Sequence, residues 1–319
     1  MTLILVASVF GLMSCAASGP VDEAGRPKII KRGTIDCDIV ETGPVVFKDH
    51  LYRFEYIRKN YWGNTTGDSY FRFIDIATGE PTPPFARGYH LGSAFVEGNT
   101  IYVLGTNTWG GERVDIFASN DMKIWRKWNA LNLPGVGIFN TSVCKAGDTY
   151  VMMYEIGKPK ELCGVWFTAQ FAKSMDLRTW RVLPPECNYA KDRYTAPHCL
   201  RYLDGYYYVF YLESLRDPRR FHTHVVRSKD FIHWKSSPLN PVLVPNEKDK
   251  VIANLNISTE QRKRISIEEN CNASDIDFCE FQGRLIINYC WGDQRVKDFL
   301  AEAYYPGTEE QFLRGWFPE

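Results

Sequence analysis

Two glutamates close apolar, aromatic stretches of the chain: Glu155 ends YVMMYE and Glu213 ends YYYVFYLE. A carboxyl so placed, and facing a cleft, is stripped of water, which raises its pKa toward the range a proton donor needs. Cleavage of an acetal such as a glycosidic bond requires two such groups, one to protonate the leaving oxygen and one to attack or to activate water. Further acids stand where apolar runs begin: Glu41 ahead of GPVVF, and Asp275 with Asp277 at the head of DIDFCEF. On these grounds Glu213 is expected as the general acid and Glu41 or Asp275 as the opposing base. Glu155 is then a third carboxylate or the nucleophile. The alternative for any one of them is an ion pair that joins two structural elements.

Around these acids lie side chains suited to holding a polyol. Arg58 and Arg193 can bind hydroxyls, or a carboxylate if the sugar is acidic. His90 and His198 stand at the starts of apolar runs. Trp62, Trp109 and Trp291 lie at or just past the ends of others, where an aromatic face can stack on a sugar ring or, alternatively, pack between sheets. Neither His90 nor His198 has a third ligand at metal spacing, and His222-x-His224 reads as one face of a strand, so no metal signature is present and no cofactor is expected, the alternative being an ion at the centre of the channel. The chain contains no P-loop, no dinucleotide-binding glycine pattern and no HExxH, which removes the usual support for nucleotide enzymes and zinc proteases.

The elements that must position these residues show themselves as repeats. Ser-x-Asp-x-x-x-Trp occurs at Ser119–Trp125, Ser174–Trp180 and Ser228–Trp234, with the serines 55 and 54 residues apart. A fixed period of this size marks stacked supersecondary units, propeller blades foremost. Ser and Asp can bond the backbone of a tight turn while the Trp packs between neighbouring sheets. Five hairpin patterns follow the same rhythm, beginning at Gly43, Ser93, Thr141, Pro197 and Asp275. Each joins two runs of β-branched and aromatic residues through a short turn. Only the last interval is stretched, and within it Ser258-Thr-Glu-Gln261 is a capping box that opens a short helix through about Glu269. The expected fold is all-β, a five-bladed β-propeller in one domain over residues 30–319, with a helical insertion before the last blade. In such a ring the first strands begin, and the second strands end, at one face, so the acids named above should converge there.

Composition agrees. Lys and Arg number 38 against 38 Asp and Glu, which argues against a nucleic-acid partner. Hydrophobic residues at 45% are ordinary for a globular chain, whereas 14% aromatics favour strands and sugar-stacking surfaces. Residues 3–13 form an apolar run too short to span a bilayer, ending in Leu12-Met13-Ser14-Cys15. This resembles a bacterial lipoprotein signal over residues 1–15, with Cys15 lipidated, or alternatively a plain secretory signal cut at Ala16 or Ala17. Residues 16–29 then read as a tether. The expectation is an exported bacterial protein, periplasmic or anchored to the outer membrane through Cys15. Eight further cysteines contain no CxxC pair, and their connectivity is left open.

With five hairpins, openings such as Ala196-Pro197-His198 and Asn140-Thr141-Ser142-Val143, and the Ser-x-Asp…Trp closures, the chain resembles the five-bladed propeller glycosidases: glycoside hydrolase family 43 and its relatives in families 32, 62 and 117. The resemblance is one of architecture over nearly the whole chain. It implies a glycoside hydrolase acting on a carbohydrate, a plant or algal oligosaccharide. Family 43 carries an Asp before the Pro of the first inner strand and another after an Ala-Pro pair, and these positions hold Gly43 and His198 here. Those departures keep two alternatives in view, a glycoside phosphorylase and a non-catalytic glycan-binding lipoprotein.

Overall fold

The computed structural model describes residues 19–59, 67–216, 219–295 and 298–318. Strands dominate, and they group in chain order. After β1 (Ile30–Cys37), the first group is β2 (Gly43–Phe47), β3 (His50–Arg58) and β4 (Ser69–Asp75). The second is β5 (His90–Glu97), β6 (Thr100–Thr106), β7 (Arg113–Ser119) and β8 (Arg126–Asn132). The third is β9 (Gly137–Ala146), β10 (Thr149–Lys158), β11 (Thr168–Ser174) and β12 (Arg181–Val182), with the short helix α1 (Lys160–Cys163) between β10 and β11. The fourth is β13 (Thr195–Leu203), β14 (Tyr206–Arg216), β15 (Arg219–Ser228) and β16 (Lys235–Ser236). The fifth comprises β17 (Asn272–Phe281), β18 (Arg284–Gly292) and β19 (Asp298–Tyr305), and β1 completes it by pairing antiparallel with β19. A single parallel pair, Phe221 with Asn272, joins the fourth and fifth groups into one continuous sheet. The first strands pack on one another in sequence, β2 on β5, β5 on β9, β9 on β13, β13 on β17 and β17 back on β2, which closes a ring.

The repeated turns behave as their chemistry dictates. In each of the three, the Ser hydroxyl donates to the Asp carboxylate at 3.0 Å, and that carboxylate accepts the backbone N–H groups two and three residues on. The following Trp is thereby fixed against its neighbour: Trp125 stacks on Phe85 at 3.8 Å and Trp234 on Phe171 at 5.6 Å. The insertion before β17 carries α2 (Thr259–Ile267), opened by the reciprocal Ser258–Gln261 capping box. After β19 the chain ends in α3 (Glu309–Gly315).

One expectation changes. Residues 19–29 are not a free tether: Val21 bridges to Pro27, Asp22 accepts from Arg26, and buried Pro27 packs against Gly315 beside α3. The compact body therefore begins ahead of residue 30, while Cys15 lies outside the described residues. All eight cysteines among the described residues are free thiols, seven of them buried, which is the behaviour of a small hydrophobe.

Phe171 is fully enclosed between the third and fourth groups, against Phe231 and Trp234. Phe171→Ala should lower unfolding stability by about 3–5 kcal/mol with an unchanged urea m-value. Equilibrium urea denaturation checks this.

Candidate active site

At one end of the ring, carboxyls from three groups of strands come together. Glu41 precedes β2, Asp275 lies near the start of β17, and Glu155 sits toward the end of β10. Glu41 and Asp275 both take left-handed backbone, as does Leu91 in β5, each seven residues ahead of a left-handed turn residue (Lys48, Gln282 and Gly98). At β5 and β17 this coincides with a break in register against the second strand. A bulge of this kind re-aims a side chain at a sheet margin.

The electrostatics follow from that crowding. Glu41 is 12% exposed, with Oε2 at 4.0 Å from Nη2 of Arg58. Burial pushes its carboxyl up to about 8; Arg58 opposes the rise, and Asp275 and Asp298 add to it. Glu155 is 3% exposed and accepts a hydrogen bond from Asn140 Nδ2 at 3.0 Å. Burial lifts its carboxyl well above the ordinary range; the Asn140 bond pulls it down, while Asp275 and Glu41 raise it further. Asp275 accepts from the Ser274 hydroxyl at 2.7 Å, and its other oxygen lies 3.5 Å from Nδ1 of His198. Among the described residues, four buried polar atoms at this end make no hydrogen bond: Glu41 Oε2, Thr42 Oγ1, Thr195 Oγ1 and His198 Nδ1, the first and last having only the longer Arg58 and Asp275 contacts given above. Native interiors rarely leave such groups unmatched, and a cluster of them marks a place built to meet a polar ligand.

Glu213, opposite Thr195 in the β13–β14 pair, has polar partners of its own. Its carboxylate takes Arg193 Nε at 3.2 Å and the Tyr211 hydroxyl at 3.0 Å, with His224 Nδ1 at 3.5 Å. The segment leading into β13 supplies Arg193, so Glu213 is ion-paired. Burial raises the carboxyls of Glu155 and Glu41, the direction a proton donor needs.

Other expected site residues have different surroundings. His90 is wholly enclosed, bonded to the Tyr56 hydroxyl and lying 3.3 Å from Ser69 Oγ, and burial with the nearby Arg58 charge pushes it down to about 4. The ring therefore presents no exposed face in this structure. Trp291 has no free face: it is 0% exposed, stacks on Phe299 at 4.6 Å and donates Nε1–H to Thr34 Oγ1 at 2.9 Å. Strand β1, arriving from the other end of the chain, supplies that Thr34. Asp277 pairs with Arg201 at 2.6 Å and lines a cavity of about 310 Å³ that includes residues near the hairpin turns, away from the carboxylate cluster. Its Oδ2 crowds the place where a Cβ on Gly43 would stand, so a side chain at position 43 would require the Asp277 carboxylate to shift. Arg58 is almost buried, with its guanidinium over Tyr56 at 4.8 Å and Trp109 at 5.3 Å. Trp62 lies outside the described residues.

Sequence reasoning missed Asp298 and Thr195. Asp298 opens β19 opposite Gly292 and adds its charge to Glu41, yet no motif surrounds it. Its one sequence signal is an acid at the head of an apolar run. Among the described residues, no three His, Cys, Asp or Glu side chains are disposed to hold a metal ion.

No family model and no curated protein matches the sequence. The fold, by contrast, has clear relatives. It is similar to the catalytic domain of the Coprinopsis cinerea GH62 α-L-arabinofuranosidase, with TM-score 0.56 and 10% identity over 89% of this protein and 94% of that one. A thermostable family-43 glycoside hydrolase aligns with TM-score 0.55 and 10% identity over 86% and 92%. An α-L-arabinofuranosidase from Fusarium graminearum, in complex with an iminosugar inhibitor, aligns with TM-score 0.54 and 11% identity over 87% and 98%. The chain thus has the fold of the family 43 and family 62 glycoside hydrolases.

The raised Glu41 carboxyl carries a sign for stability. The folded chain holds this proton more tightly than the unfolded one, whose value is near 4.5. Its contribution is fully present below that value and is lost as pH rises toward 8. Glu41→Gln should flatten the decline in the urea midpoint between pH 5 and 8, relative to wild type. An identical decline in both proteins would contradict the assignment.

Proposed function

We propose that the protein is an exported five-bladed β-propeller glycoside hydrolase that removes a terminal sugar from an oligosaccharide held at the carboxylate end of the ring. The observation that carries this reading is the convergence of Glu41, Glu155 and Asp275, two of them pushed up by burial, beside buried side-chain atoms that make no hydrogen bond among the described residues. The closed ring of first strands supports the five-blade reading, and the glycoside hydrolase neighbours support the reaction class.

Glu155 is the proton donor: its burial keeps the proton on at neutral pH, and Asn140 fixes one oxygen, leaving the other for the leaving group. Asp275, steadied by Ser274 and beside His198, is the opposing carboxylate that attacks the anomeric carbon or activates water. Glu41 and Arg58 form a third acid and its counter-charge, and the Arg193–Glu213 pair offers hydrogen bonds to sugar hydroxyls at the rim. The Coprinopsis cinerea and Fusarium graminearum neighbours are arabinofuranosidases, which puts arabinose-bearing oligosaccharides first among substrates to try. Export rests on residues 1–15. Ile30 pairs with Tyr304, near the end of the ring opposite the carboxylates, so a chain tethered through its N-terminus presents the site away from the tether.

The test is product release from arabinose-, galactose-, fucose- and uronate-bearing oligosaccharides, read by mass spectrometry. Glu155→Gln and Asp275→Asn should each reduce turnover by about 10²–10⁴-fold with the fold intact. An aryl glycoside whose leaving group needs no protonation should restore rate to Glu155→Gln but not to Asp275→Asn. Wild-type kcat/KM should fall as pH rises through the raised Glu155 value. Gly43 and His198 favour a second reading, a glycan-binding propeller without turnover, and binding with no release by wild type would decide for it.

A further inference from the structure

An aromatic side chain that the catalytic reading does not use stands out on the carboxylate side of the molecule. Trp166, between α1 and β11, is 70% exposed, an unusual state for the largest side chain. It is not isolated. Its ring lies 6.4 Å from Phe167, which packs edge-on against Phe139 at 5.0 Å and against Tyr194 at 6.0 Å. Phe139 in turn meets Trp109 at 6.2 Å, and Tyr194 meets Phe221 at 6.1 Å. These rings sit where strands begin or end at the carboxylate end of the ring, and Tyr194 feels the charges of Glu155, Asp275 and Asp298. A continuous collar of aromatic rings therefore runs from beside the carboxylates to one solvent-facing indole.

The backbone at the collar's outer end is held in an unfavourable state. Phe167 has φ of +66°, left-handed for a bulky residue, while its N–H is bonded to Ile156 O at 3.0 Å, next to Glu155. A large residue at positive φ is a true outlier, and such strain persists where the surroundings enforce it, often at ligand sites. Here the consequence is specific: Phe167 turns inward onto Phe139 and Tyr194, while Trp166 is left outside with its ring available to solvent.

We infer that Trp166 is a stacking platform for a sugar ring of the oligosaccharide beyond the residue being cleaved. This rests on the proposed function and deepens it: the substrate is a chain several sugars long, not a disaccharide. A rigid indole suits the apolar face of a sugar ring because it offers contact area at little conformational cost. Its distance from the carboxylates, two ring spacings through Phe167 to Tyr194, makes its contribution dependent on oligosaccharide length.

The experiment uses the full-length protein and arabino- and xylo-oligosaccharides of two to six units, with affinity read by calorimetry and turnover read separately. Wild-type affinity should rise with oligosaccharide length. Trp166→Ala should weaken binding of the longest oligosaccharide about tenfold, with the loss shrinking as the ligand shortens, and Trp166→Phe should recover most of the affinity. Circular dichroism of both variants checks that the fold is kept. Equal losses on short and long oligosaccharides, a Trp166→Ala affinity equal to wild type at every length, or no binding of any of them would overturn the platform. Length-dependent binding that Trp166→Ala removes, with no product released by wild type, would keep the platform and reject the hydrolase.

Discussion

The structure depends on the pairing of β1 with β19. The fifth group contributes only three consecutive strands before the chain turns into α3, and its outer edge is completed by residues 30–37 from the opposite end of the chain. An open strand edge carries unpaired N–H and C=O groups, and this closure satisfies them. It also buries Trp291, whose indole N–H finds Thr34 on β1. The candidate site is built by the same act. Glu41 follows β1 directly and Asp298 opens β19, so the two ends of the chain deliver their acids together only when the ring is shut.

Within the closed ring, the direction of the acids is set by backbone geometry. Glu41, Leu91 and Asp275 occupy equivalent places and adopt the same left-handed conformation, although none is glycine. At two of these three positions, Glu41 and Asp275, the strained residue carries a carboxyl at the ring end, whereas Leu91 shows that the conformation belongs to the position and not to the acid. Gly43 shows the complementary constraint. Asp277 fills the space beside it, and a side chain there would collide with that carboxylate. The departure from the family 43 pattern at Gly43 thus has a steric counterpart in this fold.

Crowding several carboxyls into a partly buried place is unfavourable unless their charge is reduced or paired. Both remedies are used. Arg58, held over Tyr56 and Trp109, counters Glu41, whereas Glu155 has a neutral hydrogen-bond donor in Asn140 and burial that favours its protonated form. Glu213 is paired, through Arg193. The contrast between Glu155 and Glu213 separates two acids that look equivalent in the sequence, and it is the physical basis for giving them different roles.

Much of this was legible in the chain itself. The Ser-x-Asp…Trp period, the five hairpin patterns and the Ser258 capping box are local signals, and local hydrogen bonding and alternation of side chains were enough to fix their geometry. The placement of Glu41, Glu155 and Asp275 at one end followed from strand direction within such hairpins. What is covered, and by what, was decided only in three dimensions. Trp291 reads as a surface platform until β1 arrives over it, and His90 as a ligand-binding group until Tyr56 and Ser69 enclose it. Asp277 reads as a neighbour of Asp275 until Arg201 draws it away, and residues 19–29 read as a tether until Pro27 finds Gly315. Each of these contacts joins residues far apart in sequence. Burial and charge pairing depend on such distant partners, whereas periodicity reports only on neighbours along the strand.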